Sequence, residues 1–540
     1  MFEYLLLHGD VIMKKILCLI PVLALIALFS ACASNAPDAA GIPTALVTGG
    51  QVAGTVADGL SIFKGIPFAA PPVGELRWKA PQPAAAWTDV KQTTAFANSC
   101  MQDIGMARSM GDTSEISEDC LYLNVWTPAA RASDRLPVLV WIYGGGFSGG
   151  MTSVPMYDGE RLAKKGVVVV SIAYRVGPFG FLAHPELSKE SGSGSGNYGL
   201  QDMIAGLEWT KNNVDKFGGD PSKVTIFGHS AGGMAVSMLA ASPAAAGLFR
   251  GVISMSGASM APLRAGAGAE TGMRVPLLSL AETTGAAFIG KLGAADIAGA
   301  RGISADAVQN ALSGGGASFQ PVADGHIIID DQYLLYQSGR FNDTPILLGS
   351  TSDEAASFGA RKTSAAEFSN QVKANYGSDA AAILAVYPHA TDEEASLSSK
   401  QLSRDNTFGW NTWTWARMQS QHGKGNAFLY YFDHHAPTSP DGTGHGLDVP
   451  YAFQTLAGRD GAPPESADEA LSDVVSSYWV NFTKTGDPNA DGLPVWPVYS
   501  DAAPQAMIFS NGAASAEAYP NMEKLQAMDR YFARLRTQRK

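Results

Sequence analysis

Cysteine and charged residues are scarce in this sequence, and both shortages exclude classes of function. Four cysteines occur among 540 residues and none stands in a C-x-x-C pair, so we expect no zinc site, and no motif implies a cofactor. Charged residues make up 16% of the chain, no run of five like charges occurs, and the net charge is -12. Such an acidic surface argues against nucleic acid as a partner and against binding to anionic lipid by charge.

Long linkers and internal repeats are also absent from the sequence. No segment rich in proline, glycine or serine is long enough to separate two domains, and 46% hydrophobic residues leave no case for disorder. Residues 42–540 are therefore predicted to form a single domain, because α/β domains with insertions do reach such lengths.

The N-terminus carries a targeting pattern. Met13 and two lysines open a short basic region, an apolar stretch follows over residues 16–29, and small residues precede Cys32. This pattern is similar to a bacterial lipoprotein signal. It predicts a start at Met13, a signal peptide over residues 1–31, lipidation of Cys32 and a tether over residues 32–41. An ordinary secretory signal is the alternative. Both predict export from a bacterial cell, so we expect a periplasmic protein or a lipoprotein anchored at the outer membrane, with the lipid anchor as the one expected membrane contact.

The remaining cysteines fit an oxidising compartment. Cys18 lies within the predicted signal, which leaves Cys100 and Cys120 for the exported domain. A bridge between them would close a loop of about twenty residues and, in the chain-entropy model, add about 3 kcal/mol of stability. Two unrelated buried thiols are the alternative.

Short apolar runs alternate with helical patterns along the chain. The runs are flanked by turn residues and are typical of buried strands. Strands that alternate with helices predict an α/β protein with a mostly parallel central sheet and helices on both faces. A stretch of weak pattern from about 261 to 339 is predicted to be an insertion over the functional site. The predicted strands cover residues 136–143, 167–173, 224–227, 251–255, 345–349 and 427–432, and the predicted helices cover residues 201–217, 233–241 and 521–535.

The most informative motif is Gly-His-Ser-Ala-Gly-Gly at residues 228–233. A predicted strand precedes it and a predicted helix follows it, an arrangement typical of a nucleophile elbow. There Ser230 would sit on a strained turn, and small neighbours would let the strand and the helix approach closely. Its hydroxyl would project into a cleft, with the N–H of Ala231 beside any carbonyl that it attacks. The alternative is a glycine-rich turn that contains a serine by chance.

A second glycine-rich segment follows the strand predicted over residues 136–143. Glycines 144, 145 and 146 stand at the end of that strand, where backbone N–H groups can point freely into a cleft. We predict that Gly145, Gly146 and Ala231 donate to the oxyanion of a tetrahedral intermediate, and one such donor typically lowers the barrier by about 3–4 kcal/mol. A flexible loop is the alternative.

A serine hydroxyl is a poor nucleophile, so it needs a base and an acid that orients the base. Of the six histidines that follow Ser230, His445 lies in a Gly-His-Gly loop after a predicted strand, where a base has room to face the serine. For the acid, Glu354 and Asp353 both follow the strand predicted over residues 345–349, and spacing does not decide between them. The remaining histidines are expected on the surface or in the core: His326, His389, His422, His434 and His435.

Further segments resemble the type-B carboxylesterases, the family that includes the cholinesterases. The sequence Glu-Asp-Cys-Leu-Tyr-Leu-Asn-Val-Trp-Thr-Pro at residues 118–128, together with the serine turn, looks like the paired signatures of that family. The matches extend from about Thr44 to Tyr499, and chance does not produce so many in order. The other matching segments are residues 65–69, 72–74, 76–78, 197–202, 217–221 and 485–489.

The resemblance implies an α/β-hydrolase fold and a serine ester hydrolase. It implies that Glu354 is the acid, that His445 is the base, and that Cys100 and Cys120 form the first disulfide of the family, whose later disulfides are absent here. We then expect His445 to take the proton of Ser230, an acyl-enzyme to form, and water to release the acid. Activity should fall at low pH, because imidazolium cannot accept a proton.

Two positions depart from the family pattern. His229 stands where the family usually carries glutamate before the serine; we expect a packed, neutral imidazole there, with a second titrating group as the alternative. The loop between Cys100 and Cys120 holds no aromatic ring, whereas choline-ester enzymes of the family stack the quaternary ammonium on one. Choline esters are therefore not expected as substrates.

The expected substrates are small to medium apolar, aryl or polycarboxylate esters. Residues 143–150 and 181–185 resemble bacterial esterases of this family that act on fumonisin-like polycarboxylate esters. The alternative function is a catalytically silent binding or adhesion module of the same fold, although such modules typically lose a member of the triad. Five aromatic residues could line an apolar pocket or belong to the core: Phe147, Phe179, Trp410, Trp413 and Trp415.

Overall fold

The computed structural model describes residues 41–266, 273–313, 318–359, 361–435, 439–456 and 464–538. The predicted signal peptide, the lipidation site at Cys32 and all of the tether except Gly41 lie outside the described residues. Those three interpretations therefore stay predictions.

One large sheet forms the centre of the described chain. The strands, in chain order, are β1 (Thr44–Val47), β2 (Gly50–Ala53), β3 (Thr55–Ala57), β4 (Leu60–Pro67), β5 (Lys91–Gln92), β6 (Ser99–Cys100), β7 (Ile116–Ser117), β8 (Tyr122–Thr127), β9 (Leu136–Ile142), β10 (Val168–Ile172), β11 (Gly219–His229), β12 (Gly251–Met255), β13 (Ile346–Thr351), β14 (Ala427–Phe432), β15 (Gln505–Ser510) and β16 (Ala513–Ala518). The large sheet has the order β16-β15-β14-β13-β12-β11-β9-β10-β8-β4-β3, while β1, β2 and β5 form a small sheet and β6 pairs with β7.

The centre of the large sheet is parallel and its edges are antiparallel. Every neighbouring pair from β10 through β9, β11, β12, β13 and β14 to β15 is parallel. Towards the edges, β8 runs antiparallel to β10 and β16 runs antiparallel to β15. All residues of β10, β12, β13 and β14 are buried, as expected of strands covered on both faces. The predicted mostly parallel sheet is confirmed.

Helices flank the sheet, and the three predicted ones are present. Residues 201–217 overlap the helix Tyr198–Asn213 and a following 3-10 turn (Val214–Phe217), residues 233–241 overlap the helix Ala231–Ala240, and residues 521–535 overlap the helix Met522–Thr537. None of the described helices is both long enough and apolar enough to cross a membrane. In chain order the helices are α1 (Ile104–Ser109), α2 (Glu160–Lys164), α3 (Gly177–Phe181), α4 (Pro185–Ser191), α5 (Tyr198–Asn213), α6 (Ala231–Ala240), α7 (Leu278–Lys291), α8 (Ile297–Arg301), α9 (Ala305–Asn310), α10 (Gln332–Gln337), α11 (Ala365–Tyr376), α12 (Ala380–Leu384), α13 (Asp392–Arg404), α14 (Trp410–His422), α15 (Val449–Phe453), α16 (Ser466–Thr485) and α17 (Met522–Thr537).

The stretch of weak pattern before β13 contains α7, α8, α9 and α10. The last three have only five or six residues each, so they give little periodic signal in the sequence. Asn197 ties this stretch to α5, because its amide donates to the carbonyl of Val322 at 2.7 Å and accepts from its N–H at 2.9 Å. Arg77 binds both carboxylate oxygens of Glu118 at 2.7 Å and the carbonyl of Ile303 at 2.6 Å. Arg77 and Asn197, which lie in segments that resemble the family, therefore hold the stretch of weak pattern in place.

Cys100 and Cys120 form a disulfide. Their sulfur atoms lie 2.09 Å apart and their Cα atoms 5.0 Å apart. The bridge closes the loop that contains α1 and β7, and both sulfur-bearing residues are buried. The predicted pairing is confirmed.

Candidate active site

Ser230 lies on the turn between β11 and α6. Its backbone has φ 57° and ψ -123°, a conformation that is uncommon for a residue with a side chain. The N–H of Ser230 donates to the carbonyl of Met255 on β12 at 2.9 Å, and its carbonyl accepts from the N–H of Met234 at 2.8 Å. Backbone hydrogen bonds on both sides thus hold the strained turn.

Glycines around this turn allow backbone segments to approach more closely than any side chain permits. A Cβ on Gly232 would lie 2.1 Å from the carbonyl oxygen of Ile142, at the end of β9. A Cβ on Gly228 would lie 2.4 Å from the backbone of Gly232, and one on Gly144 would lie 2.9 Å from the Cβ of Ser230. The end of β11, the start of α6 and the glycine run after β9 therefore meet at the serine.

The glycine run also supplies backbone donors at this turn. Gly145 and Gly146 have φ values of 119° and 62°, which glycine adopts readily. Ala231 is the first residue of α6, where the N–H has no acceptor within the helix. Among the described residues, the N–H groups of Gly145, Gly146 and Ala231 donate no hydrogen bond to another backbone group. Their role at an oxyanion stays a prediction.

Glu354 and His445 come together on the segments that follow β13 and β14. A hydrogen bond joins Nδ1 of His445 to Oε2 of Glu354, whose side chain is fully buried. The other carboxylate oxygen, Oε1, accepts from the N–H of Thr351 at 2.9 Å. These two bonds fix the carboxylate, and the carboxylate in turn fixes which nitrogen of the imidazole faces away from it.

Asp353, the competing carboxylate, has different partners. Its Oδ2 accepts from Nζ of Lys400 at 2.6 Å, and its N–H donates to the carbonyl of Thr443 at 2.9 Å. The side chain that contacts His445 is that of Glu354. Tertiary contacts thus separate two neighbouring acids that spacing along the chain leaves equivalent.

Three rings surround the imidazole of His445. The centroids of His229, Phe408 and Phe358 lie 4.5, 4.6 and 5.0 Å from its centroid. Its Nε2, the nitrogen expected to take the serine proton, is buried and makes no hydrogen bond to any residue in the described ranges. The bond to Ser230 is therefore not formed in this structure, and such bonds are often long before substrate is bound.

The other histidines that follow the serine are exposed or contact other acceptors. These are the surface and core positions expected for them from the sequence. His326 and His422 are exposed, His389 lies against the Tyr387 carbonyl at 2.8 Å, His434 against Asp468 at 2.7 Å and His435 against Asp433 at 3.0 Å.

Besides Glu354 and Asp353, a third carboxyl group, that of Asp448, lies at the end of the loop that carries His445. The sequence does not indicate it. Its side chain is buried, and its Oδ2 accepts from the hydroxyl of Tyr430 at 2.8 Å. Burial, followed by the charge of Glu354, raises the pKa of Asp448 to about 6. A sequence does not show that one aspartate in a polar loop has a raised pKa, because only the fold buries it near another carboxylate.

The aromatic rings at the imidazole are not those singled out from the sequence. Phe408 is buried, but Phe358 is 62% exposed although its ring lies beside His445. The feature of the sequence that could have indicated Phe358 is its position four residues after Glu354. The five expected residues are all buried, which favours the core: Phe147, Phe179, Trp410, Trp413, whose indole bonds to Tyr499, and Trp415, whose indole bonds to Tyr336.

The order of these parts along the chain is that of the α/β-hydrolases. The serine follows a central parallel strand, the acid follows a later one, and the histidine follows the next. A model of the carboxylesterase family matches residues 39–528. The chain belongs to that family, which confirms the resemblance seen in the sequence, and it is a carboxylic-ester hydrolase.

Several known proteins are similar over most of the chain. A fumonisin B1 esterase of Sphingopyxis macrogoltabida is 35% identical over 500 residues, which cover 87% of this chain and 86% of that protein. A para-nitrobenzyl esterase of Bacillus subtilis (strain 168) is 34% identical over 493 residues, covering 89% and 97%. A cholinesterase of Mus musculus is 32% identical over 491 residues, covering 82% and 78%.

Solved structures agree with these similarities. A PNB esterase superimposes with a TM-score of 0.77 at 33% identity, and a thermophilic PNB esterase with a TM-score of 0.79 at 32% identity. Each comparison covers 90% of this chain and 99% of the other chain. The α/β-hydrolase fold is therefore shared along almost the whole domain.

Proposed function

We propose that this protein hydrolyses carboxylic esters through a Ser230-His445-Glu354 triad and an acyl-enzyme intermediate. The observation that carries the proposal is the hydrogen bond between the buried Glu354 and Nδ1 of His445, on the segments that follow β13 and β14 in the same sheet as the strand before the strained serine turn. That bond leaves Nε2 as the nitrogen available to a hydroxyl. Backbone strain at a single serine is a feature of nucleophile positions.

In the first step, Nε2 of His445 takes the proton of Ser230 while Oγ attacks the ester carbonyl. The resulting imidazolium is stabilised by Glu354 and gives its proton to the leaving alcohol. In the second step, water attacks the acyl-enzyme with His445 again as base, and the carboxylic acid leaves. A buried carboxylate is suited to this role because it stabilises the imidazolium strongly where water is excluded.

The N–H groups of Gly145, Gly146 and Ala231 are proposed to bind the oxyanion that forms during both attacks. Two observations support this role. In the described part of the chain, these three N–H groups donate to no backbone acceptor, and Gly144 closely approaches Ser230. Donors that are fixed by the backbone need no reorganisation when charge develops on the carbonyl oxygen.

For the substrate, we propose small to medium apolar, aryl or polycarboxylate esters. The similar proteins named for fumonisin B1 and para-nitrobenzyl esters support aryl and polycarboxylate groups. The exposed ring of Phe358 beside His445 supports an apolar or aryl group near the ester. The alternative, a catalytically silent binding module of the same fold, fits less well because acid, histidine, serine and glycine run are all present.

The test is hydrolysis of 4-nitrophenyl acetate and butyrate by the wild type and by Ser230→Ala. We expect turnover in the wild type and none above background in the variant, with an unchanged circular dichroism spectrum. A fluorescent phosphonate should label the wild type alone. Equal hydrolysis by both proteins would overturn the triad, and no hydrolysis or labelling by either would favour the silent module. A panel of esters varied separately in acyl and alcohol groups would then define the substrate.

Export with a lipid anchor at Cys32 is a separate proposal, supported only by the sequence pattern over residues 13–32. Its test is radiolabelled palmitate incorporation in a bacterial host that expresses the full chain or Cys32→Ser. Label in the first protein and none in the second is expected. Equal label in both would refute it, and secretion without label would indicate the ordinary signal.

A further inference from the structure

A buried glutamine binds the backbone at the end of the glycine-rich segment 144–150, which carries two of the proposed oxyanion donors. Gln102 is 3% exposed; its Oε1 accepts from the N–H of Gly150 at 2.9 Å, and its Nε2 donates to the carbonyl of Gly150 at 2.9 Å. Nε2 also donates to the carbonyl of Cys100 at 3.1 Å. An amide side chain carries both the acceptor and the donor that these backbone groups require, whereas an apolar side chain carries neither.

The glycine-rich segment folds back on itself, so that its end packs on its start. A Cβ on Gly150 would lie 2.3 Å from the carbonyl oxygen of Gly144. One on Gly145 would lie 2.3 Å from the carbonyl oxygen of Gly149. The N–H groups of Ser148 and Gly149 both donate to the carbonyl of Gly145 at 3.1 Å. The backbone at the end of the segment therefore supports the backbone that carries the proposed donors.

The disulfide loop contacts this region at a second place. Beyond Gly150, the hydroxyl of Ser153 donates to Oδ1 of Asp112 at 2.6 Å. That contact lies three residues after the glycine-rich segment, whereas the hydrogen bonds of Gln102 are made to the segment itself. The two contacts are a matched pair of test positions, because removing either one weakens the packing between the same two parts of the chain.

We propose that Gln102 is a positioning residue for the oxyanion site: by fixing the backbone of Gly150, it keeps the N–H groups of Gly145 and Gly146 in place. The proposal rests on the proposed function, which assigns these N–H groups to the oxyanion. Glycine has no side chain to restrict its backbone, so a run of glycines keeps one conformation only where outside contacts fix it. Donors act best on a developing charge when they are already in place, and a displacement of about 1 Å can lower a rate by about 10²-fold.

The disulfide is one support of Gln102 and is not its only one. Gln102 follows β6, which pairs with β7, and its Nε2 bonds to the backbone of Cys100 rather than to the sulfur. The hydrogen bonds of Gln102 therefore keep an anchor when the S–S bond is removed. We expect the bridge to affect stability more than turnover, and Gln102 to affect turnover directly.

The experiment compares the wild type with Gln102→Met, Gln102→Ala and Ser153→Ala. It measures kcat and KM for 4-nitrophenyl butyrate and the Ki of propyl trifluoromethyl ketone, which carries the same acyl chain. When this ketone binds, Oγ of Ser230 forms a bond to its carbonyl carbon, the serine proton passes to His445, and the carbonyl oxygen becomes an oxyanion. The Ki therefore reports on the oxyanion site, which a loss of stability alone would not change.

We expect kcat to fall by about 10–100-fold in both Gln102 variants while KM changes less than about threefold, because the donors act mainly in the transition state. The Ki of the ketone should rise by the factor by which kcat/KM falls, since its adduct resembles the transition state. Ser153→Ala should keep the wild-type kcat and Ki. Unfolding temperatures identify a variant that fails to fold. If Gln102→Met does, Gln102→Ala suffices, because water can then bond to the groups of Gly150 without fixing them.

A wild-type Ki in the folded Gln102 variants would overturn the proposal and leave Gln102 as a packing residue. Equal losses in Ser153→Ala would also overturn it, because any weakening of the packing between these parts of the chain would then suffice. Failure of the proposed function gives different results. Activity that survives Ser230→Ala contradicts the triad, and a ketone that does not inhibit the wild type contradicts the oxyanion site itself.

Discussion

The turn that carries Ser230 and the segments that carry Glu354 and His445 are built in different ways. Around the serine, backbone packs on backbone, and a Cβ on Gly232 would come within 2.1 Å of the Ile142 carbonyl oxygen. Around the imidazole, side chains hold one another, as in the bond between Glu354 and His445.

The difference shows what each half of the site requires. The serine needs an unusual φ and ψ and a close strand–helix contact, both of which depend on small residues that are adjacent in the chain. The imidazole needs a carboxylate that lies 91 residues away, so its place depends on the registration of β13 against β14. Four variants, three single and one double, would break or sharpen this comparison.

The largest effect is expected from Glu354→Gln, which removes the charge that orients the imidazole. We expect kcat to fall by about 10³–10⁴-fold with little change in KM, because an amide favours the wrong imidazole tautomer and does not stabilise imidazolium. Steady-state kinetics with 4-nitrophenyl butyrate measures this. Asp353→Asn is the matched control, since its carboxylate pairs with Lys400, and it should keep most of the activity. Equal losses in the two variants would contradict the assignment of the acid.

The second-largest effect is expected from Gly232→Ala, which tests the backbone packing around Ser230. Gly232→Ala should lower the free energy of unfolding by about 3 kcal/mol or more, because its methyl group would collide with the Ile142 carbonyl and neither backbone can yield easily. Urea unfolding measures it. The control is Gly290→Ala in α7, where a Cβ meets no atom within 4 Å, so that change should be neutral or slightly stabilising. A stable Gly232→Ala variant would show that the contact is not tight.

A third prediction concerns Asp448, whose pKa of about 6 in the folded protein lies above its ordinary value of 3.8. The protonated form is favoured by folding, so the stability from this group is present below pH 4 and is lost as the pH rises through about 6. Asp448→Asn should therefore become more stable relative to the wild type between pH 4.5 and 8, by about 2 kcal/mol. Urea midpoints at both values check this.

Asp112 provides a control in which the stability changes with pH in the opposite direction. Burial alone would raise the pKa of its carboxyl, but hydrogen bonds from the hydroxyls of Ser114 and Ser153 lower it below the ordinary value. Stability from Asp112 is present above that ordinary value and is lost as the pH falls, so Asp112→Asn should be most harmful near neutral pH. The same pH trend in the variants of Asp112 and Asp448 would contradict one of the two assignments, and the sign of the trend would show which.

The smallest effect on the site is expected from Cys100→Ser/Cys120→Ser. The double variant should lose up to about 3 kcal/mol of stability, because the unfolded chain is no longer constrained. Activity should change little, since neither residue contacts the triad, although Gln102 in the same loop bonds to the backbone of Gly150 beside the glycine run. Dithiothreitol should shift the unfolding midpoint of the wild type and leave that of the variant unchanged. A loss of kcat comparable to that of Glu354→Gln would mean that the loop shapes the oxyanion site.

The sequence predicts the central strands well because they are short, almost wholly apolar and bounded by turn residues, as in β14 and in β10, where Ser171 is the one polar residue. It misses β8, which carries Asn124 inside an otherwise apolar run, and the exposed edge strand β16, whose alanines and glutamate give no strand signal. It also misses α8 to α10, since five or six residues are too few to show a helical period.

At the site, the sequence predicts the residues whose neighbours along the chain define them, such as Ser230 and Gly145. It leaves Glu354 and Asp353 equivalent on spacing, and only the family resemblance favours the first. Asp448 has no local pattern, and Phe358 has only its place four residues after Glu354, because burial and exposure are properties of the assembled fold.

The sequence by itself determined the serine turn, the glycine run and the family, since each depends on small residues in a fixed order over a few positions. Only the tertiary structure decided which carboxylate meets the imidazole, that His229 and His445 share a contact and that Asp448 is buried near Glu354 and His445. The physical reason is distance: a side chain's electrostatic neighbours come from strands far apart in the chain, and their identity is fixed by how the sheet is ordered.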